Sequence, residues 1–448
     1  MKIRLLLFCS GIFLLAGGWV SARAGRPTDS GSNAKSVASQ TIPPPPHDLP
    51  EIRLDASDYQ PHDLFGYAID VDGVHLAVGA PGKDNAGQEA GGVYVFERSG
   101  ADWIEKARLV PDSLGDQNRL GMSVAVSRDT IAGGAPYAAT QTGGFAAGAV
   151  YVFVREGGNW REQARLTARD GSPFDLFGSA AALDGDTLVV GAQGADDPSS
   201  GRNAGAAYVF HRVNGAWVEQ ARLSSPDAGA DDFLGQSVAV HGNVIAVGAF
   251  GHDDPETGQN AGVVYLFQRQ GGAWSFQTKL TAAEPARAAQ FGFSLAFAGQ
   301  GAEPVWLAVG ANQYSSEPMD PRYEVSPGRV ELFQRGNEGW QPTAQLGPEE
   351  GGEQESGYFG AAVAMGLLED GREIVATGSL LDGRRILLFL GQKWGSALAV
   401  QPEQFSLNFG RSITISGEFL AVGSPWMYES GSGLPVGAVY LYDLSGLK

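Results

Sequence analysis

The chain has 448 residues, with 50 acidic against 31 basic side chains, 64 glycines, 24 prolines and one cysteine. Its formal net charge of −19 excludes an electrostatic affinity for nucleic acid or anionic membrane. Hydrophobic residues at 43 % exclude a solvated, disordered chain, and a glycine share about twice the usual one points to short strands and tight turns.

The N-terminus reads as a secretory signal peptide over residues 1–24. Lys2 and Arg4 precede an apolar run from Leu5 to Val20, and Ala22 and Ala24 fit a small-residue cleavage site. Ser10, Gly11, Gly17 and Gly18 interrupt the run, which disfavours an uncleaved anchor needing about 20 continuous apolar residues. No membrane insertion is expected after cleavage. Cys9 lies inside the run behind Phe8, a poor lipidation context, so the processed chain would be exported without disulfides. Residues 25–50 form a Pro/Ser/Gly-rich tether that includes Pro43 to Pro46. The expected location is secreted, periplasmic or on the cell surface.

A single unit then recurs seven times. Phe-Gly or Leu-Gly stands at Phe65-Gly66, Leu120-Gly121, Phe177-Gly178, Leu234-Gly235, Phe291-Gly292, Phe359-Gly360 and Phe409-Gly410, at intervals of 55, 57, 57, 57, 68 and 50. After each comes an alternating run such as Ser237 to Val240, a tight turn, and a run such as Val244 to Phe250. A longer polar loop, a run such as Gly148 to Arg155, and a last run such as Trp160 to Leu166 complete the unit. Short, alternating, Val- and aromatic-rich runs read as strands, four per unit. The fold class is all-β: a seven-bladed β-propeller of four-stranded antiparallel blades over residues 51–448. The last copy stops without its fourth strand, and Glu51 to Asp58 matches Gln163 to Asp170 and Gln220 to Asp227. The N-terminal strand is therefore expected to close the ring and remove an open edge.

The Phe-Gly starts, together with Val78 to Pro81, Gly133 to Pro136, Val190 to Gln193 and Val422 to Pro425, resemble FG-GAP repeats. Such repeats build the N-terminal propeller of integrin α chains and many exported bacterial proteins, and the bacterial branch is the closer likeness. The resemblance implies a fold and a tendency toward extracellular recognition, not one activity. It also implies calcium loops in some blades, but only Asp70-Val71-Asp72-Gly73 keeps two aspartates before a glycine. Calcium needs six to eight oxygens, so these turns read as hairpin chemistry, with no metal and no cofactor expected.

The loops between second and third strands vary most, and strand order places them on one face with the inter-blade connections. The ligand-binding candidates there are Asp84, Asp196, Asp197, Asp253, Asp254, Tyr314, Trp426 and Tyr428, with Glu256 and Tyr323 nearby. Asp-Asp-Pro also starts turns, so turn chemistry and a ligand surface both stand. Trp103, Trp160, Trp217, Trp274, Trp340 and Trp394 recur at one place in six copies, which points to packing rather than sugar stacking. For Arg98, Arg155, Arg212, Arg269 and Arg335, each before the third turn, solvated or turn-bonding roles suffice. Catalytic motifs are lacking, and the six histidines have no metal-ligand spacing. The expectation is a monomeric, non-catalytic recognition or adhesion module for an extracellular protein or glycan. The alternatives are a carbohydrate-active enzyme with its site on the loop face, and a structural surface component without a dedicated ligand.

Overall fold

The computed structural model describes residues 49–255, 258–312, 328–347, 358–379, 385–391, 394, 397–403, 408–428 and 434–447. The signal segment, the tether up to residue 48, Glu256, Tyr314 and Tyr323 lie outside the described residues.

Alternating β-branched and aromatic residues form strands wherever the repeat predicts them, and no α-helix occurs among the described residues. Blade 1 is a meander of Ile69–Asp72, His75–Gly79, Val93–Ser99 and Asp102–Leu109. Blades 2 to 6 repeat it over 123–166, 180–223, 237–280, 291–346 and 359–400. The first strands of successive blades neighbour one another around the axis. Asp70 and Asp72 belong to the first strand of blade 1; the turn itself begins at Gly73.

Blade 7 holds Ser412–Ser416, Phe419–Ser424 and Ala438–Asp443, and Glu51–Leu54 supplies its fourth strand. Glu51 stands opposite Tyr442 and Leu54 opposite Val439, antiparallel. The sheet takes only half of the matching segment. Residues 55–58 turn away toward blade 1, where Asp58 accepts a hydrogen bond from the Tyr94 hydroxyl at 2.6 Å.

The core is divided among the seven blade boundaries. Val93 and Val95 of blade 1 pack on Val124 and Ile131 of blade 2, and Leu54 and Leu441 of blade 7 pack on Ile69 and Leu76 of blade 1. The remaining five boundaries each carry a cluster of the same kind. Apolar burial therefore holds blade to blade, while backbone pairing holds each blade together.

The recurrent Phe-Gly has a steric cause. Gly121 and Gly178 sit at φ 96° and 95°, a left-handed conformation open mainly to glycine. At six of the seven boundaries the carbonyl of this glycine presses on a second-strand glycine of the preceding blade, as Gly121 on Gly79, Gly178 on Gly134 and Gly235 on Gly191; between blades 6 and 7 the Ile386 side chain stands beside Gly378 and Gly410 instead. At the six, a Cβ on the second-strand residue would overlap the carbonyl oxygen. The preceding phenylalanine is buried edge-on against a tyrosine, as Phe65 on Tyr94 at 5.3 Å and Phe177 on Tyr208 at 5.5 Å.

The tryptophans pack, as their regularity suggests. Trp103 meets Phe419 of blade 7, Trp160 meets His75 of blade 1, and Trp217 donates to Gln163 Oε1 at 2.8 Å. Trp274 joins a boundary cluster, Trp340 meets Phe297, and Trp394 meets Trp306. The arginine series is turn-bonding through its backbone. The N–H of Arg98, Arg155, Arg212, Arg269 and Arg335 donates to a carbonyl of the first hairpin turn of its own blade at 2.8–2.9 Å.

Candidate functional site

In blades 1 to 4 the second-to-third-strand loop is sewn to the connection that follows its blade. In blade 1, Gln117, Arg119 and Leu120 donate their N–H groups to the carbonyls of Gln88, Glu89 and Ala90 at 2.7, 3.1 and 2.9 Å. In blade 2, Phe174, Leu176 and Phe177 do the same to Phe145, Ala146 and Ala147. Loops and connections thus share a face, and its backbone is fixed by the fold.

The carboxylates singled out in the sequence are partly occupied in shaping their own loops. Asp84 accepts from the Glu89 N–H at 2.7 Å, Asp196 from the Asn203 N–H at 2.9 Å, and Asp253 from the Asn260 N–H at 2.9 Å. Each of the three aspartates is exposed. Asp197 accepts from the Ser199 hydroxyl and N–H and the Ser200 N–H, which hold its carboxyl down at about 2. Asp254 exchanges backbone hydrogen bonds with Gly258. In blade 7, Trp426 packs half-buried against Tyr67, and Tyr428 is exposed beside a bridge to Pro435. The candidates lie in the loops of blades 1, 3, 4 and 7, spread around the ring rather than gathered in one pocket, and Tyr314 is outside the described residues.

Three features of this face went unread in the sequence. Phe145 and Phe174 are 56 % and 62 % exposed, the highest values among the large apolar side chains described, and their rings meet edge to face at 5.5 Å. In blade 1, buried Lys83 donates to Asp63 Oδ2 at 2.8 Å and to the Asp58 carbonyl at 2.6 Å. In blade 4, buried His252 lies between Asp232, 3.0 Å from Nδ1, and Lys279, 3.0 Å from Nε2. Lys279 also reaches Asp227 at 2.7 Å, and Asp227 accepts from the Tyr265 hydroxyl at 2.6 Å. A sequence signal for the last two exists: Asp58, Asp170 and Asp227 recur in register, as do Asp63, Asp175 and Asp232. Burial pushes the Asp175 carboxyl up to about 6 and the Tyr94, Tyr208 and Tyr265 hydroxyls upward.

The opposite face consists of hairpin turns that brace one another. Ser416 Oγ accepts from the Gly73 N–H, Asp72 from Arg128, Ser127 from Gly185, and Asp184 from Gly242, each reaching the next blade. At the axis, half-buried Asp70 accepts from the Val71 and Val126 N–H groups at 3.0 and 2.7 Å and from the Thr414 hydroxyl at 3.2 Å. Its oxygens are engaged by protein donors. Among the described residues no three His, Cys, Asp or Glu side chains converge as a metal site would require.

An FG-GAP repeat model matches the sequence at residues 51–96, 103–153, 160–210 and 217–267. The chain is an FG-GAP repeat protein. Each match opens on the outer strand of one blade and runs into the third strand of the next, Glu51–Leu54 through Val93–Ser99 in the first case. The FG-GAP unit is therefore offset from the blade by one strand, and the offset is what leaves an N-terminal strand to close the ring. No curated protein matches the chain.

Proposed function

We propose that this FG-GAP protein is an exported, non-catalytic recognition or adhesion module whose loop face meets an extracellular protein or glycan. A comparison of four blade boundaries carries the reading. The same backbone hydrogen bond joins Gln117 to Gln88, Phe174 to Phe145, Asp231 to Arg202 and Ala288 to Gln259, at 2.7, 3.1, 2.8 and 2.9 Å. Constant backbone here presents a polar pair, an exposed aromatic pair, an ion pair at 3.5 Å between Arg202 and Asp231, and a Gln/Ala pair. Packing does not require phenylalanines at these positions, since three other pairs serve the same clasp. A rigid scaffold carrying variable, outward side chains is the usual design of a recognition surface, and aromatic anchors are favoured in such surfaces.

Glycan and extracellular-protein arrays probed with the processed chain test this. For any ligand found, Phe145→Gln with Phe174→Gln, the pair that blade 1 already carries, should weaken binding at least about fivefold, the scale of one interface anchor, without changing the melting temperature. Binding that survives this change and Asp253→Ala, but is lost on altering the hairpin turns, would refute the loop-face reading.

A further inference from the structure

The hairpin-turn face carries a cleft of about 350 Å³ between blades 2 and 3, the small end of the range for ligand sites. Arg128, Arg155, Arg212, Gln163, Glu156 and Asp186 line it. From this cleft we infer a binding site for a small polyhydroxylated carboxylate, the size of one acidic sugar ring.

The internal repeat shows what is unusual about it. The first position of the first hairpin turn is left-handed in blade after blade, and it is glycine at Gly73, Gly185, Gly242 and Gly417, with φ between 55° and 60°. In blade 2 the same position is Arg128, at φ 53°. An arginine there is strained where glycine is not, so the fold gains nothing from it. What the cleft gains is a guanidinium with no carboxylate in ion-pair range among the described residues.

The neighbouring groups leave complementary hydrogen-bonding positions. Arg155 reaches Glu97 at 3.1 Å and Asp129 at 3.9 Å through its terminal nitrogens, while its buried Nε–H has no hydrogen-bond partner. Such an orphaned donor is costly unless an acceptor arrives. Arg212 is fixed by Asp186 at 2.6 Å and Thr130 at 2.9 Å. Gln163 spends its oxygen on Trp217 and keeps its amide N–H groups. Arg128 and the Arg155 Nε–H therefore offer donors to a carboxylate, while Asp186 and the Gln163 amide suit hydroxyl groups; both oxygens of Glu156 are held by Arg161. With three arginines set against Asp129, Glu156 and Asp186 around the cleft, its charge is balanced, unlike the chain as a whole. A lone carboxylate fits that balance better than a polyanion does.

The test is a thermal-shift titration of the processed chain with glucuronate, glucose and sulfate, with sodium chloride matching ionic strength. Glucuronate at millimolar concentration should raise the melting temperature, and glucose and sulfate should raise it much less. Arg128→Gly restores the residue of the other blades, so it should raise the basal melting temperature and remove the glucuronate shift. Arg128→Asn, which also tolerates a left-handed turn, should remove the shift with the basal value nearly unchanged. A full glucuronate shift in both variants, or equal shifts with sulfate and glucuronate in the wild type, would overturn the assignment. Because the cleft lies on the face away from the loops, the glucuronate result is separate from the loop-face reading, which is tested with array ligands that carry no acidic sugar.

Discussion

Gly191 and Gly235 stand face to face across the boundary between blades 3 and 4, so closely that a Cβ on Gly191 would overlap the Gly235 carbonyl oxygen. One lies in the second strand of its blade and the other follows Leu234 at φ 93°, so each motif of the repeat exists for its counterpart in the next blade. Gly191→Ala should destabilise the protein by about 1–3 kcal/mol, the usual scale of overpacking. Gly185→Ala meets no neighbour, and its cost is confined to its left-handed backbone at φ 57°. Chemical denaturation of the two variants checks the order, and equal losses would show that the glycine contact does not limit the packing.

Ring closure rests on a strand 391 residues away from its partner in sequence, with the Tyr442 hydroxyl donating to Glu51 at 2.8 Å. Deleting 51–58 removes Leu54 from a boundary core and takes Asp58 away from Tyr94. It should lower the melting temperature by about 5 °C or more, whereas deleting 25–42 should leave it in place. Calorimetry on the two truncations decides; matching melts would mean that blade 7 does not need its fourth strand.

Asp70 gives the stability a pH dependence of defined sign. Burial at the axis pushes its carboxyl up from 3.8 to about 7. The folded chain thus holds the proton more tightly than the unfolded one. The stabilisation is complete below the unfolded value and lost as pH rises through about 7. Five other blades place alanine at this position, at Ala125, Ala182, Ala239, Ala296 and Ala364. Melting temperatures of the wild type should therefore fall between pH 5 and pH 8, and Asp70→Ala should flatten that fall. An unchanged slope in the variant would assign the dependence elsewhere, with Asp175, pushed up to about 6, the first group to examine.

The blades, their order and the closing strand were legible because strand alternation and glycine geometry are local and repeat sevenfold. The extent of the closing strand was less so: residues 55–58 match the repeat yet serve the connection, since Asp58 is claimed by Tyr94. Site residues were legible by type and only in part by use. Asp84, Asp196 and Asp253 read as ligand candidates or as turn formers, and each fastens its own loop through a bond that spans five to seven residues; the Asp196–Asn203 pair returns 57 positions on as Asp253–Asn260, a trace of that role in the repeat. Phe145 and Phe174 escaped notice because two isolated phenylalanines 29 positions apart look like core until the boundary brings them together at the surface. Arg128 escaped because its oddity is visible only when the turns are superposed and four of its counterparts prove to be left-handed glycines.

The most direct test of the recognition reading blocks one face at a time. Gln259 lies exposed in the loop of blade 4, and Gln270 lies exposed at the hairpin end of the same blade. Each is changed to cysteine in a Cys9→Ser background, joined to a large polyethylene glycol, and assayed against the array ligands bound by the unmodified chain. Polymer at position 259 should abolish binding while polymer at position 270 leaves it intact. Binding blocked from position 270 and untouched from position 259 would contradict the account.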